Sequence, residues 1–191
     1  MHLLATCSKK EMTNLFDVIV IGGGHAGVEA ALAASRMGVC VALVTIDKTK
    51  IGVMSCNPAI GGIGKGHIVK EIDALGGVMS TSADESSIQY KMLNSSKGPA
   101  VRGPRCQADR ELYKSSVQDS LRSAKNLRVL SGTVTKIIIK NSKLEGVELD
   151  KTTLLITKAV VLTTGTFLNG IIHMGAKRLS AGRINEKASN E

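Results

Sequence analysis

Tryptophan is absent from this 191-residue sequence, and the only aromatic side chains are Phe16, Tyr90, Tyr113 and Phe167. An aliphatic core is therefore required, and no aromatic platform exists for stacking bases, which argues against RNA-binding modules of the RRM or OB type. The cysteines, Cys7, Cys40, Cys56 and Cys106, include no C-x-x-C pair and have no histidine at metal-ligand spacing. Neither a zinc site nor a dithiol redox pair is expected, and a reducing, cytoplasmic compartment fits best. The longest uncharged apolar run, 159–172, is broken by Thr, Gly and Asn and falls short of a membrane span. The N-terminus has no secretory apolar core and is not arginine-rich. Residues 1–15 read as a disordered extension, with Met12 as a second candidate start.

What is present points to one nucleotide-binding domain. Hydrophobic residues make up 43% of the chain, enough for a sizeable core. The formal charge of +9 favours a polyanionic partner. Part of it is concentrated in a Gly/Pro-broken stretch, where Lys97, Arg102, Arg105, Arg110 and Lys114 face only Asp109 and Glu111 in sequence. Such a stretch is either a solvated face or a polyanion contact.

The pattern along the chain is α/β. Phe16–Ile21 is a continuous β-branched run suited to a strand buried on both faces, and Val28–Met37 is an Ala-rich helix with Gly38 at its C-terminal cap. Val39–Thr45 supplies a second strand, completing a βαβ unit. His67–Leu75 carries a helical apolar stripe at positions 68, 69, 72 and 75, and Gly76-Gly77 stops it. The stretch 81–108 reads as a basic surface loop with small helices, and Asp109 caps a helix running to Ala124. Leu127–Leu130 returns to the parallel sheet. Val134–Lys140, Leu144–Leu149 and Leu154–Thr157 form a small antiparallel meander, and Ala159–Thr163 is a further buried strand. The expected fold is an FAD/NAD(P)-binding Rossmann-like parallel sheet with that meander. A polar end without a closing element makes it incomplete, with one domain over 16–191.

Two glycine clusters carry the chemistry. Gly22-x-Gly24-x-x-Gly27 follows a strand and opens a helix, the context that makes this motif a dinucleotide site. Gly22 allows the tight turn, Gly24 lets a pyrophosphate approach the backbone, and Gly27 packs helix on strand. The acid expected at the end of the second strand is missing, so the ribose falls to Thr45 or Asp47. Geometry of this kind serves NAD and FAD alike. The second cluster, Gly61-Gly-Ile-Gly-Lys-Gly66, fails as a Walker A loop because Ala59 and Gly66 stand where Gly and Ser/Thr are needed. It is expected to present backbone amides to a flavin or its substrate. Cys56, close in sequence to that loop and to Lys65, is either a lowered-pKa thiolate or proton donor, or a buried filler. Cys40 reads as filler, Cys106 as a thiol among arginines that is open to reaction but has no base to activate it, and His25 and His67 as packing or capping residues.

Taken together, Gly22-Gly-Gly-His-Ala-Gly27, Ser55-Cys-Asn-Pro-Ala-Ile-Gly-Gly-Ile-Gly-Lys-Gly-His67, Ser96-Lys-Gly-Pro-Ala-Val-Arg102, Gln107-Ala-Asp-Arg110 and Thr163-Thr-Gly-Thr-Phe-Leu168 resemble the MnmG (GidA) family of tRNA-modifying flavoproteins. The resemblance covers the first third of such a protein. It implies an FAD enzyme that adds a carboxymethylaminomethyl or aminomethyl group to C5 of the wobble uridine of tRNA. An MnmE-type GTPase would be the partner, a homodimer within a heterotetramer the assembly, methylenetetrahydrofolate the carbon donor and NADH the reductant. It assigns Gly22, Gly23, Gly24, His25, Ala26 and Gly27 to the FAD pyrophosphate, the Val134 backbone to adenine, Ser189 to a further flavin contact, and Cys56 to catalysis. It further implies that this chain alone holds flavin weakly and lacks activity. Rival readings are a folate-dependent tRNA uridine methyltransferase, separated by the mass of its product, and a truncated, inactive nucleotide-binding fragment.

Overall fold

A computed structural model describes residues 14–54, 57–182 and 188–189. Chain contacts divide them into two units: 14–49 with 126 onward, and 50–125.

In the first unit, β1 (Leu15–Ile21) leads through a glycine turn to α1 (His25–Arg36) and β2 (Val41–Thr45). After the second unit the chain returns as β6 (Leu127–Ser131), β7 (Val134–Lys140), β8 (Lys143–Leu149) and β9 (Thr153–Leu162). These strands make one six-stranded sheet in the order β6-β2-β1-β9-β8-β7. β1 pairs in parallel with both β2 and β9, and β2 in parallel with β6. Ile19, Val41, Ala42 and Leu43 are wholly buried. Each large aliphatic side chain so buried contributes roughly 1.5–3 kcal/mol, which is why these segments read as unbroken apolar runs.

α1 ends where expected. Its Ala-rich sequence is intrinsically helical, and Gly38 adopts φ +86°, donating its amide to the Ser35 carbonyl at 2.9 Å. The meander joins the same sheet, because the two expected segments 154–157 and 159–163 are one continuous strand. β9 is antiparallel to β8 at its start and parallel to β1 along most of its length. The Thr157 hydroxyl bridges that junction, donating to the Asp17 carbonyl at 3.1 Å. Two hairpin turns, Asn141-Ser142 and Asp150-Lys151, have positive φ at both central positions, the twist that matches flanking antiparallel strands.

Phe16, Ile19, Ala42, Val44, Val147, Leu149 and Leu155 form one apolar cluster, so side chains of the meander and of the parallel strands pack together. Cys40 belongs to this cluster and is also disulfide-bonded, a correction to its reading as filler alone. A hairpin of β10 (Ile171–Met174) and β11 (Lys177–Ser180) follows.

The second unit holds β3 (Ala59–Gly61), α2 (Lys65–Ala74), α3 (Met79–Glu85), β4 (Ser87–Leu93), β5 (Gly103–Ala108) and α4 (Arg110–Ser123). Its strands form an antiparallel sheet in the order β3-β5-β4. Part of the segment read as loop and small helices, 87–93 and 103–108, is therefore a strand pair. The alternation Ile88, Tyr90, Met92 was the available signal, but all three are exposed, so no buried stripe advertised it. The α2 stripe differs too: Val69 is buried, whereas Ile68 is 58% and Leu75 81% exposed. Asp109 caps α4 as expected, its carboxylate accepting the Glu111 and Leu112 amides at 2.9 Å each.

Candidate functional site

The carboxyl ends of the parallel strands collect the candidate dinucleotide residues. Gly22 has φ +112°, a conformation reserved for glycine, and a Cβ there would lie 2.2 Å from the Thr163 carbonyl oxygen. A Cβ on Gly27 would meet the Gly22 carbonyl at 1.8 Å. Both glycines are thus required by the protein's own packing. Gly24 differs: its φ is ordinary and a Cβ there would find nothing within 4 Å. In dinucleotide-binding turns of this glycine spacing the second glycine is where a pyrophosphate approaches, and here the space beside it is open.

Gly24 is also the N-cap of α1, with no side-chain cap and no acid in the first turn. A helix start left in this way favours an anion. Gly24 and Ala26 are exposed, Gly23 and His25 half-buried, so the turn offers backbone on one side and packing on the other.

Thr163, directly after β9, locks the turn. Its hydroxyl lies 2.8 Å from the Ile21 carbonyl and 3.1 Å from the Gly22 carbonyl, and its amide donates to Ile21 at 2.8 Å. On the β2 side, the Gly132 amide donates to the Thr45 carbonyl at 2.9 Å, which sets the start of β7 near the end of β2. Val134 opens that strand at the sheet edge and packs its side chain on the core cluster, so its backbone is the part available to a ligand. Ser189 bridges to Leu168, and its amide and carbonyl pair with Phe167 and Asn169 at 2.8 and 2.7 Å. The fold therefore sets Ser189 beside the segment that begins at Thr163. Asp47, a candidate for the ribose, accepts the Thr49 amide at 2.8 Å and hydroxyl at 2.6 Å through one oxygen.

In the second unit, the glycine loop does something other than expected. The amides of Gly62, Lys65 and Gly66 donate to the carbonyls of Pro104, Ile63 and Gly62 at 3.0–3.1 Å. The Gly64 amide donates to His67 Nδ1 at 3.2 Å, the capping role expected of this histidine. These four loop amides are consumed internally, because β3 pairs with β5 and α2 starts immediately afterwards. A Cβ on Gly61 would lie 2.1 Å from the Pro104 carbonyl, so close backbone packing explains that glycine.

Side chains rather than amides give this region its electrostatics. Burial, and then the neighbouring Arg105 charge, hold the Lys65 pKa below its ordinary value. Its Nζ donates to the Ala59 carbonyl at 2.8 Å. Arg105 Nη2 donates to Asn57 Oδ1 at 3.0 Å and Gln107 Oε1 at 2.9 Å. Sequence reasoning placed Arg105 in a loop and missed this arrangement with Lys65. Cys106 is buried at 5% exposure and donates to the Ala83 carbonyl, a packing role in place of a reactive one. Cys56 lies outside the described residues. No cluster of His, Cys, Asp and Glu able to hold a metal occurs among the described residues, and none of their helices is long and apolar enough to cross a membrane.

Known proteins resemble this chain in sequence and in fold. The family model described as "Glucose inhibited division protein A" matches residues 17–191. A tRNA uridine 5-carboxymethylaminomethyl modification enzyme MnmG of Sulfurihydrogenibium sp. is 54% identical over 178 residues, 92% of this chain and 29% of that protein. The MnmG of Granulibacter bethesdensis is 56% identical over 177 residues, 91% of this chain and 28% of that protein. The solved structure of Aquifex aeolicus GidA superposes with a TM-score of 0.86 at 49% identity, over 93% of this chain and 30% of that one. A GidA-related protein of Thermus thermophilus, at TM-score 0.61 and 17% identity over 91% of this chain and 64% of that one, shares the fold alone. The chain spans under a third of the length of the curated relatives it matches.

Proposed function

The chain belongs to the glucose inhibited division protein A family, and from that membership we propose that it is the N-terminal portion of an FAD-dependent enzyme that adds a carboxymethylaminomethyl or aminomethyl group to C5 of the wobble uridine of tRNA. The observation that carries the reading is Gly24: among the turn glycines its bare face meets open space, while Gly22 and Gly27 are occupied by the protein itself.

The residues present fit FAD. Gly22–Gly27 and the start of α1 would hold its pyrophosphate, the Val134 backbone its adenine, and Ser189 a further part of the cofactor. When bound, FAD supplies two-electron redox chemistry, with NADH as the reductant and methylenetetrahydrofolate as the source of the added carbon. The turn orients the cofactor, and Thr163 keeps the turn's carbonyls engaged so that they do not face the phosphates. Cys56 acts on the uridine as nucleophile or proton donor. An MnmE-type GTPase is the partner, with a homodimer inside a heterotetramer as the assembly, and the cytoplasm is the compartment. The basic stretch from Lys97 to Lys114 helps receive tRNA.

Mass spectrometry of wobble nucleosides, in tRNA from cells lacking this modification and supplied with the gene carrying this sequence, tests the reading. A carboxymethylaminomethyl- or aminomethyl-type mass is expected. A simple methyl mass would favour a folate-dependent uridine methyltransferase, and an unmodified uridine would remove the enzymatic reading.

A further inference from the structure

Strand register in the second unit sorts the residues of its sheet onto two faces. Arg105 stands opposite Lys91 on β4 and Gly61 on β3, and Gln107 stands opposite Gln89 and Ala59. Opposed residues project to the same side, and alternate residues along a strand return to it. Gln89, Lys91, Arg105 and Gln107 therefore share one face, while Tyr90, Met92 and Cys106 take the other.

That face has an unusual charge balance. Lys91 and Arg105 are directly opposed like charges, an arrangement that destabilises a sheet. Lys65 is a third cation close enough for Arg105 to perturb its titration. The groups that hold Arg105 and Lys65 in place are the Asn57 and Gln107 carboxamides and the Ala59 carbonyl, all neutral. They fix the charged heads without cancelling them. Among the described residues, the ion pairs present involve other side chains. Of the acids nearest along the chain, Asp109 caps α4, Glu111 lies 4.0 Å from Lys114, Asp84 accepts the Tyr90 hydroxyl and Glu85 the Ser116 hydroxyl, while Glu71 on α2 makes no ion pair with these cations. Positive charge gathered on one face without an ion pair attracts a polyanion.

We propose that this face of the β3-β5-β4 sheet, built on Lys65, Lys91 and Arg105 with the Asn57, Gln89 and Gln107 carboxamides, binds the phosphodiester backbone of the RNA substrate. The proposal rests on the tRNA-modification reading and adds the surface that holds the strand. A backbone is favoured over a single small phosphate because the cations are spread over two strands and a helix start. Carboxamides interleaved with them match 2′-hydroxyls and base edges. No aromatic side chain shares the face, so the contact is with phosphate and sugar rather than by base stacking.

Equilibrium binding of the protein to unmodified tRNA across a KCl series tests it. Lys91→Gln with Arg105→Gln should weaken binding and lower the slope of log K against log salt by about 1.4, at about 0.7 for each lost phosphate contact of a single strand. Lys65→Gln alone should lower it by about 0.7. Lys136→Gln with Lys158→Gln, which removes the same charge from exposed positions in the other unit, should leave the slope unchanged. An unchanged slope in the Lys91/Arg105 variant, an equal fall in both double variants, or no tRNA binding by the unaltered protein at the lowest salt would overturn the assignment. So would loss of FAD quenching in the Lys91/Arg105 variant with its RNA slope intact, since the face would then belong to the dinucleotide. Nucleoside masses from cells dependent on the protein separate the two levels. Absent modification sinks the enzyme reading whatever the slopes, whereas normal modification with unchanged slopes sinks only this face.

Discussion

The two sheets of this protein carry opposite relations between side chains and solvent. In the six-stranded sheet, the central strands β1 and β2 are covered on both sides, and Ile19, Val20, Val41, Ala42 and Leu43 are fully removed from water. In the three-stranded sheet, one face of β4 shows Ile88, Tyr90 and Met92 to solvent, and the other carries Gln89 and Lys91. Hydrophobic burial positions a backbone turn in the first case. In the second, hydrogen bonds to neutral groups position charges. A site for a cofactor phosphate can be built from backbone held by an apolar core, whereas a site for a long polyanion requires side chains that the core does not consume.

Truncation of an apolar side chain should separate the sheets most sharply. Leu155→Ala, at 2% exposure in the core cluster, is expected to cost about 2–5 kcal/mol in denaturant unfolding, while Ile88→Ala, at 67% exposure, should stay within about 0.5 kcal/mol. Equal costs would erase the distinction. The glycines sharpen it next. Gly27→Ala drives a Cβ into the Gly22 carbonyl and should destabilise by about 3 kcal/mol, seen as a melting point lower by roughly 10 °C. Gly24→Ala should cost about 1 kcal/mol or less, yet weaken FAD binding by roughly tenfold in a fluorescence titration. If Gly24→Ala leaves FAD affinity intact, the open space beside it is not a phosphate site.

On the side of the second unit, Asp109→Ala removes the cap of α4 and should cost about 1 kcal/mol in thermal unfolding. The smallest effect is a titration. Burial and then Arg105 lower the Lys65 pKa from 10.5, so the folded state gives up this proton before the unfolded state does. Stability should therefore rise with pH across the window between the lowered value and 10.5, and Lys65→Gln should flatten that rise. Tyr90 works in the opposite sense at higher pH. Its hydroxyl donates to Asp84, which raises its pKa to about 12, so the folded state keeps this proton longer and stability falls as pH rises from 10 towards 12. Tyr90→Phe should remove that fall.

Legibility in the sequence followed the same division. Phe16–Ile21, the glycine turn and the Ala-rich helix are each specified by local chemistry, and the structure has them within a residue or two at most boundaries. Joining 154–157 to 159–163 escaped notice because Lys158 interrupts the apolar pattern, although an exposed lysine is compatible with a strand that turns from the meander into the parallel sheet. β4 and β5 escaped because β4 turns its apolar residues to solvent and β5 opens on Gly103-Pro104 with only the small side chains of Cys106 and Ala108 buried, so that pairing between distant segments makes them strands. Arg105 was visible as a basic residue, but its alignment with Lys91 is a property of register that local sequence does not encode.

Thr163 has a consequence for the order of events on the ribosome. Its hydroxyl and amide hold carbonyls that lie about 140 residues earlier in the chain, so β1 and its turn wait for β9 before they acquire their second neighbour. At synthesis rates of about 5–20 residues per second, that interval lasts roughly 7–28 s, during which the aliphatic β1 strand has one open edge. The glycine turn is made about 140 residues before Thr163 and is completed only once β9 has been added, which makes it among the last parts of the first unit to reach its final geometry.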